Sequence, residues 1–206
     1  MTDDGTTRWW WIRHAPIAPP HDQGFAPPSA AAELSDDKSI AGVAVRLPAD
    51  AVWIASPMRR TQMTCAALRA AKGETATATV SEPAFAEQDF GDWHGQSYRQ
   101  VFARLTEQDL VTPALVRPPS GEPFEAVVPR VAAAVERLGA EHAGRDLVVI
   151  AHAGTIRAAL AAAMDLAPPQ AISFVVDLLS VTRLDHHPRG RSNRLWSVQF
   201  VNCEAR

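Results

Sequence analysis

Arginine and histidine side chains follow apolar runs at three places in this sequence. "RWWWIR" leads into Arg13 and His14, "AVWIAS" is soon followed by Arg59 and Arg60, and "RDLVVIA" is followed by His152. Arginine stays cationic and offers a planar fork of hydrogen-bond donors, whereas histidine exchanges a proton near neutral pH. Such residues suit a site that binds an anionic group beside a side chain able to move a proton.

The overall charge requires that such a site be built locally. The chain has 206 residues, of which 47% are hydrophobic, and its net charge is −3. This balance gives no general positive field for nucleic acid or for an anionic membrane surface, so we expect neither as a partner. The individual arginines and histidines must then supply any anion site.

Cysteine use and the apolar stretches predict a cytoplasmic protein. Cys65 and Cys203 lie far apart, and no group of residues has the spacing of metal ligands, so we expect neither disulfides nor a bound metal or cofactor. The first residues, "MTDDGTT", are polar and acidic, unlike a secretory leader. No apolar stretch approaches the roughly 18 residues of a membrane helix.

The runs that precede the reactive residues are typical of buried parallel strands. Residues 8–13, 51–56 and 145–154 are short, apolar and bounded by polar residues, proline or glycine. The tryptophans of 9–11 then pack within a strand instead of forming a substrate platform. Ligands of open parallel α/β sheets bind outside the carboxyl ends of the strands, so we expect the reactive residues to converge there.

Helices and loops alternate with these strands, as expected for a single α/β domain over residues 1–206. Ser35 is the expected cap of the first helix, and residues 17–34, rich in proline and alanine, form a loop. Strands are also predicted at 75–80 and in an edge hairpin from "ISFVVDLLSVTRLD" and "RLWSVQFVN". The predicted helices are 36–46, 57–71, 97–108, 123–143 and 155–164.

Four short motifs, in order, resemble those of the histidine phosphatase superfamily, the phosphoglycerate mutase-like proteins. They are "IRHA", "SPMRRTQMT", "EQDFGDWHG" and "VVIAHAG", against the usual RHG, SxxxRxxxT, ExxxGxWEG and HxG. The α-ribazole phosphatase and broad-specificity phosphatase branch is the most similar. The resemblance implies a three-layer α/β/α sandwich with a mostly parallel central sheet.

The resemblance also implies the residue roles. His14 would be the nucleophile that forms a phosphohistidine, Glu87 would donate the proton to the leaving group, and Arg13, Arg60 and His152 would hold the phosphate. His152 also belongs to the catalytic set. Planar guanidinium groups suit the equatorial oxygens of a transferring phosphoryl group, and this chemistry requires no metal.

Some residues depart from the family pattern. Ala15 replaces the usual glycine, "PIAPP" replaces a segment that often supplies an amide to the phosphate, and His94 stands where many members have glutamate. Trp93 and His94 are candidate contacts to the organic part of the substrate, with loop packing as the alternative.

Other residues are assigned to ordinary structural positions. Two adjacent arginines on the first turn of a helix point in different directions, so one of them is expected to face solvent. The register of the motif favours Arg60 in the phosphate pocket and leaves Arg59 as a surface charge. His186 and His187 are expected in a solvated turn.

Several functions are compatible with these residues. The leading prediction is a metal-independent phosphomonoesterase that acts through a phosphohistidine on a small phosphorylated metabolite, with α-ribazole 5′-phosphate of cobalamin synthesis as the candidate substrate. A phosphoglycerate mutase, a phosphohistidine-protein phosphatase and a non-catalytic phosphate-binding protein are the alternatives.

Overall fold

The protein is built around a six-stranded sheet with the order β3-β2-β4-β1-β5-β6. The computed structural model describes residues 5–19, 24–74, 78–191 and 194–204. The first four strands in this order are parallel, and β5 and β6 join antiparallel at one edge. The strands are β1 Thr7–Arg13, β2 Val52–Ala55, β3 Thr79–Ser81, β4 Asp146–Ala151, β5 Val181–Arg191 and β6 Arg194–Cys203.

Helices cover both faces of this sheet, as the resemblance implied. One hydrophobic core lies between the sheet and the helices α5, α6 and α7, and a second lies between the sheet and α1 and α2. The mostly parallel three-layer α/β architecture is thereby confirmed. The helices are α1 Asp37–Ala44, α2 Arg59–Ala71, α3 Tyr98–Phe102, α4 Glu107–Val111, α5 Phe124–Glu141, α6 Ala153–Met164 and α7 Pro168–Ala171.

The three tryptophans of β1 pack on both faces of the sheet, because side chains alternate along a strand. Trp9 and Trp11 stack with ring centroids 5.6 Å apart in the core beneath α5 and α6. Trp10 points to the other face, where its Nε1–H donates to Asp146 at 2.8 Å and Arg183 lies over its ring. The central strand that leads to His14 is therefore fixed on both sides.

Several predicted boundaries are corrected. Asp36, not Ser35, caps α1, because its carboxylate accepts the Ser39 N–H at 3.0 Å. Helix α2 begins at Arg59 after an extended Met58, so Pro57 precedes it. The helix predicted at 97–108 is two short helices, since Ser97 caps α3 and Thr106 starts α4 with a capping box of its own.

The C-terminal region also differs from its prediction. Residues 172–180 form a turn and an irregular segment, not a strand, whereas the edge hairpin of β5 and β6 is present. Because β5 continues to Arg191, His187 lies in the strand and not in a solvated turn. It is 6% exposed, with Thr6 at 3.0 Å from Nδ1 and Ser197 at 2.9 Å from Nε2. His186 is half-buried against the Trp196 ring.

None of the helices in the described ranges is both long and apolar enough to cross a bilayer. The cytoplasmic location stays a prediction. Part of the predicted strand 75–80 and part of the loop 17–34 fall outside the described residues, at 75–77 and 20–23.

Candidate active site

The carboxyl ends of β1, β2 and β4 meet at one edge of the sheet. The backbone N–H of His14 donates to the Ala151 carbonyl at 3.0 Å, and that of Ser56 donates to the Ile150 carbonyl at 3.1 Å. The residues that follow the three strands are thus neighbours, and the rings of His14 and His152 lie 5.1 Å apart. The structure brings together the histidines that the sequence separates by most of its length.

A cavity of about 280 Å³ opens at this edge. Arg13, His14, Arg60 and Glu87 line it, together with Arg157 of α6. An aromatic wall of Phe25, Phe90 and Tyr98 closes one side, with Phe25 and Phe90 ring centroids 4.7 Å apart. A larger cavity of about 490 Å³ lies under the β5–β6 hairpin, but none of the four predicted site residues above lines it.

The backbone fixes which ring nitrogen of His14 can react. Nδ1 lies 2.7 Å from the carbonyl oxygen of its neighbour Ala15. A carbonyl oxygen only accepts a hydrogen bond, so Nδ1 carries the proton and a neutral imidazole keeps its lone pair on Nε2. The replacement of the usual glycine by Ala15 does not prevent this contact.

The environment of both histidines favours the neutral ring. Burial lowers the pKa of His14 from 6.5 to about 3, and the charges of Arg60 and Arg13 act in the same direction, against the Ala15 carbonyl. Burial lowers the pKa of His152 well below its ordinary range, and His14 and the arginines lower it further. An unprotonated His14 is the form that has a lone pair for attack.

We expect these lowered pKa values to make the protein acid-sensitive. Above pH 6.5 both histidines are neutral in the folded and unfolded chains, but below it only the unfolded chain takes up their protons. Between about pH 7.5 and 5.5, His14 alone should cost the fold roughly 1–1.5 kcal/mol of unfolding free energy. Urea unfolding at both pH values, in phosphate-free buffer, measures this loss.

The matched variant for this test is His14→Gln, which has no titrating ring. Its unfolding free energy should fall less than that of the wild type over the same pH interval, by the share that His14 contributes. Equal losses in the two proteins would mean that His14 titrates normally in the folded state.

His152 is fully buried next to His14 and is not itself one of the residues that line the cavity. Its Nε2 lies 2.9 Å from Ser56 Oγ, which also accepts the Met58 N–H at 3.3 Å. Among the described residues Nε2 is the only acceptor within reach of the Ser56 hydroxyl proton, so we assign the hydroxyl as the donor to Nε2, which leaves the ring proton on Nδ1. That nitrogen is buried and has no partner among the described residues. We expect an oxygen of a ligand bound beside His14 to be the acceptor for it.

The motif "SPMRRTQMT" also connects α2 to the end of β1. The Ala15 N–H donates to Thr64 Oγ1 at 3.0 Å, and Thr64 Oγ1 donates to the Arg60 carbonyl at 2.8 Å. One threonine thereby holds the residue after His14 against the helix turn that carries Arg60. Each specified position of this motif pattern thus has a contact at the site: Ser56 with His152, Arg60 with the cavity, and Thr64 with the backbone of Ala15.

Backbone carbonyls hold the two predicted phosphate-binding arginines. Arg13 donates to the Val176 carbonyl at 2.7 Å, and Arg60 donates to the Pro27 carbonyl at 3.1 Å and to the Met58 sulfur at 3.0 Å. The Nε atoms of both arginines are buried without a partner among the described residues. Both guanidinium groups are therefore fixed yet have donor capacity left. Arg59 is exposed and does not line the cavity.

Glu87 reaches the cavity from a loop that two helices hold. Its Oε2 accepts the Gly154 N–H at 3.4 Å, and a Cβ on Gly154 would collide with Oε1. The glycine two residues after His152 thus makes room for this carboxyl group. Arg130 of α5 donates to the Ala86 carbonyl at 2.9 Å and to the Glu87 carbonyl at 3.1 Å, which fixes the loop.

Sequence reasoning missed several residues of this site. Arg130 and Phe25 come from segments with no reactive pattern, so only the fold could reveal them. Arg157 had a signal, because Ala153, Gly154 and Arg157 are spaced to share one face of a helix that starts at the site.

Trp93 and His94 lie beside the cavity instead of lining it. Trp93 packs on Phe25 with ring centroids 5.3 Å apart, and His94 lies 3.9 Å from Asp89. Their contact with a substrate stays a prediction. Within the described ranges, no three His, Cys, Asp or Glu side chains are grouped to hold a metal ion.

Comparison with known proteins identifies relatives of this architecture. A bifunctional protein of Mycobacterium tuberculosis is 28% identical over 164 residues, which are 79% of this chain and 43% of that protein. The chain thus spans less than half of the length of this relative.

Solved structures share the fold at low sequence identity. A mycobacterial glucosyl-3-phosphoglycerate phosphatase has a TM-score of 0.80 at 21% identity, covering 97% of this chain and 100% of its own. The alpha-ribazole phosphatase from Shigella flexneri has a TM-score of 0.76 at 20% identity, covering 96% of this chain and 97% of its own.

The model of the histidine phosphatase superfamily (branch 1) matches residues 38–199. It does not reach Arg13 and His14, where the sequence departs from the usual pattern, but the fold places both beside the matched residues Arg60 and His152. Since the match covers most of the chain, this protein belongs to the histidine phosphatase superfamily.

Proposed function

We propose that this protein is a metal-independent phosphomonoesterase that acts through a phosphohistidine on His14. One observation carries the proposal: the His14 Nε2 lone pair is available in a cavity that Arg13 and Arg60 also line, next to the unpartnered Nδ1 of His152. The amino terminus of α6 lies at the same cavity and favours an anion there. Membership of the superfamily supports the same activity.

Two steps account for hydrolysis with these residues. In the first, the Nε2 lone pair forms a bond to phosphorus, the bond from phosphorus to the leaving oxygen breaks, and the protonated Glu87 carboxyl gives its proton to that oxygen. In the second, water attacks phosphorus, Glu87 takes a proton from it, and the nitrogen–phosphorus bond breaks to release phosphate. Arg13, Arg60 and His152 hold the equatorial oxygens throughout.

Arg60→Lys should lower kcat/KM by about a hundredfold, the worth of a charged hydrogen bond or two. Lysine keeps the charge but cannot bond the Pro27 carbonyl and a phosphate oxygen with one planar group. Steady-state kinetics on an aryl phosphate measure the change. The control is Arg59→Lys, at an exposed neighbour on the same helix turn, which should behave as the wild type. An unaltered Arg60→Lys enzyme would remove Arg60 from phosphate binding.

The sequence resemblance favours α-ribazole 5′-phosphate as the substrate within this class. The cavity of about 280 Å³ suits a small metabolite, and the aromatic wall suits a planar organic group. The fold shared with the Shigella flexneri enzyme is a further, weaker support.

The composition of residues 17–34 argues against the alternative that this protein is a phosphoglycerate mutase. A mutase must hold a bisphosphate while it reorients and keep water from the phosphohistidine, which calls for additional cations around the pocket. Residues 17–34 contain His21 but no arginine or lysine, and His21 lies outside the described residues. The cavity does contain one cation besides Arg13 and Arg60, the side chain of Arg157. Another alternative is a non-catalytic phosphate-binding protein. The presence of His14, Glu87 and His152 together with Arg60 favours an enzyme over it.

A hydrolysis panel in the presence of a chelator tests the proposal. It contains an aryl phosphate, α-ribazole 5′-phosphate, 3-phosphoglycerate and a phosphohistidine peptide, and we expect phosphate release from small phosphomonoesters that exhaustive chelation leaves unchanged. Activity lost to the chelator and restored by a divalent metal would contradict the metal-free mechanism. Isomerisation of 3-phosphoglycerate faster than phosphate release, after priming with bisphosphate, would identify a mutase instead.

A further inference from the structure

A third arginine borders the cavity and has no part in the two steps above. Arg157 lines the cavity together with Arg13 and Arg60, and its Nε–H donates to the Phe174 carbonyl at 2.8 Å. Among the described residues no other hydrogen bond of this side chain is present. A guanidinium group has five N–H donors, so the fork between its two terminal nitrogens is unused.

The fold fixes where this fork lies relative to the phosphate. Arg157 follows His152 by little more than one turn of α6 and shares its cavity face with Ala153. Its backbone therefore lies about 7.5 Å along the helix axis from that of His152, the residue that would hold the phosphate. The carbonyls of Phe174 and Val176, two residues apart, hold Arg157 and Arg13 respectively. Both guanidinium groups are thus anchored to one short segment.

Arg157 is a third cationic side chain in the lining of the cavity, beside Arg13 and Arg60. A phosphomonoester dianion matches the two cations Arg13 and Arg60, since both histidines are neutral. Glu87 is the carboxyl group whose charge acts on Arg157, and the two steps above assign this carboxyl to proton transfer. Burial lowers the pKa of Arg157, Arg13 lowers it further, and Glu87 opposes them. A second negative charge on the ligand would relieve this cost.

We propose that Arg157 binds a carboxylate of the substrate, about one helical turn from the phosphate. The preferred substrates are then phosphomonoesters of small organic acids, with about two or three carbon atoms between phosphate and carboxylate. A single free guanidinium fork matches one carboxylate bidentately, whereas a second phosphate dianion would need further cations. The inference rests on the proposed function and ranks phosphorylated acids above a phosphorylated nucleoside such as α-ribazole 5′-phosphate.

A pair of matched substrates tests this preference. 3-Phosphoglycerate and glycerol 3-phosphate differ only in a carboxylate against a hydroxymethyl group. In the wild type we expect kcat/KM for the acid to be higher by about ten- to a hundredfold, as for other charged hydrogen bonds. Arg157→Leu should bring the ratio close to one, chiefly by raising KM for the acid, and leave glycerol 3-phosphate within about threefold.

Two further variants separate this role from general effects. Arg59→Leu removes an exposed positive charge near the site, and should keep the wild-type ratio. Arg157→Lys keeps the charge but not the fork, and should retain a reduced preference for the acid. Should Arg157→Leu fail to fold, the wild-type ratio and Arg157→Lys still decide the matter.

The outcomes also distinguish the two proposals. Equal wild-type rates for the two substrates, a ratio unchanged by Arg157→Leu, or a stronger preference for α-ribazole 5′-phosphate would overturn the carboxylate site while leaving the phosphatase intact. Failure to release phosphate from any phosphomonoester, the aryl phosphate included, would instead overturn the proposed function.

Discussion

Replacing His14 by alanine is expected to abolish phosphate release, with a loss in kcat/KM on the order of 10⁴-fold or more. The imidazole supplies the electron pair of the new bond to phosphorus, and no other neutral nucleophile is oriented in this way within the described part of the cavity. Rapid quenching with labelled substrate should trap an acid-labile, base-stable phosphoryl adduct on the wild type. The variant should give none.

The matched control is His142→Ala, at the end of α5 and away from the cavity. It should retain wild-type turnover and the full yield of labelled protein. A label on a serine or an aspartate, or an undiminished adduct in His14→Ala, would show that the chemistry proceeds by another route.

Glu87→Gln is expected to act selectively on substrates with poor leaving groups. Glutamine can accept the Gly154 N–H at the place of Oε2 but cannot give a proton to the departing oxygen. For an alkyl phosphate, whose alkoxide must be protonated, we expect kcat to fall by about 10²- to 10⁴-fold. For p-nitrophenyl phosphate, whose phenolate leaves unaided, the loss should remain within about tenfold. Parallel measurements of kcat on the two substrates give the comparison.

Glu125→Gln provides the control for this experiment, because Glu125 is an exposed carboxylate on the first turn of α5. It should leave both rates unchanged. Equal losses on the two substrates in Glu87→Gln would show that the carboxyl group positions other residues and does not protonate the leaving group.

Local sequence determined the elements that deliver the reactive residues. The apolar runs before His14 and His152 can be buried only as central strands, so their length and composition were enough to predict β1 and β4. The motif with Ser56, Arg60 and Thr64 then indicated that the turn after β2 and the first two turns of α2 belong to the site. The hydrophobic pattern is a property of each segment alone, and for that reason it can be read from the sequence.

Element boundaries depended on side-chain contacts that compete over a few residues. Asp36 and Ser35 are both suitable caps, and only the hydrogen bond to Ser39 selects the first. The division of the predicted helix 97–108 follows from a second capping box at Thr106, which the apolar periodicity does not contain. His187 became buried because β5 pairs with β6 further than its polar composition indicated.

The sequence by itself predicted most of the strands and helices and the candidates His14, Arg60 and His152, and the resemblance of its motifs implied the layered α/β fold. Only the tertiary structure decided what surrounds them: the Ala15 and Ser56 contacts that orient the rings, Arg130 behind Glu87, the Phe25 wall and Arg157. These contacts join segments distant in the chain. Their geometry depends on how helices and loops pack around the finished sheet, which no local pattern of residues specifies.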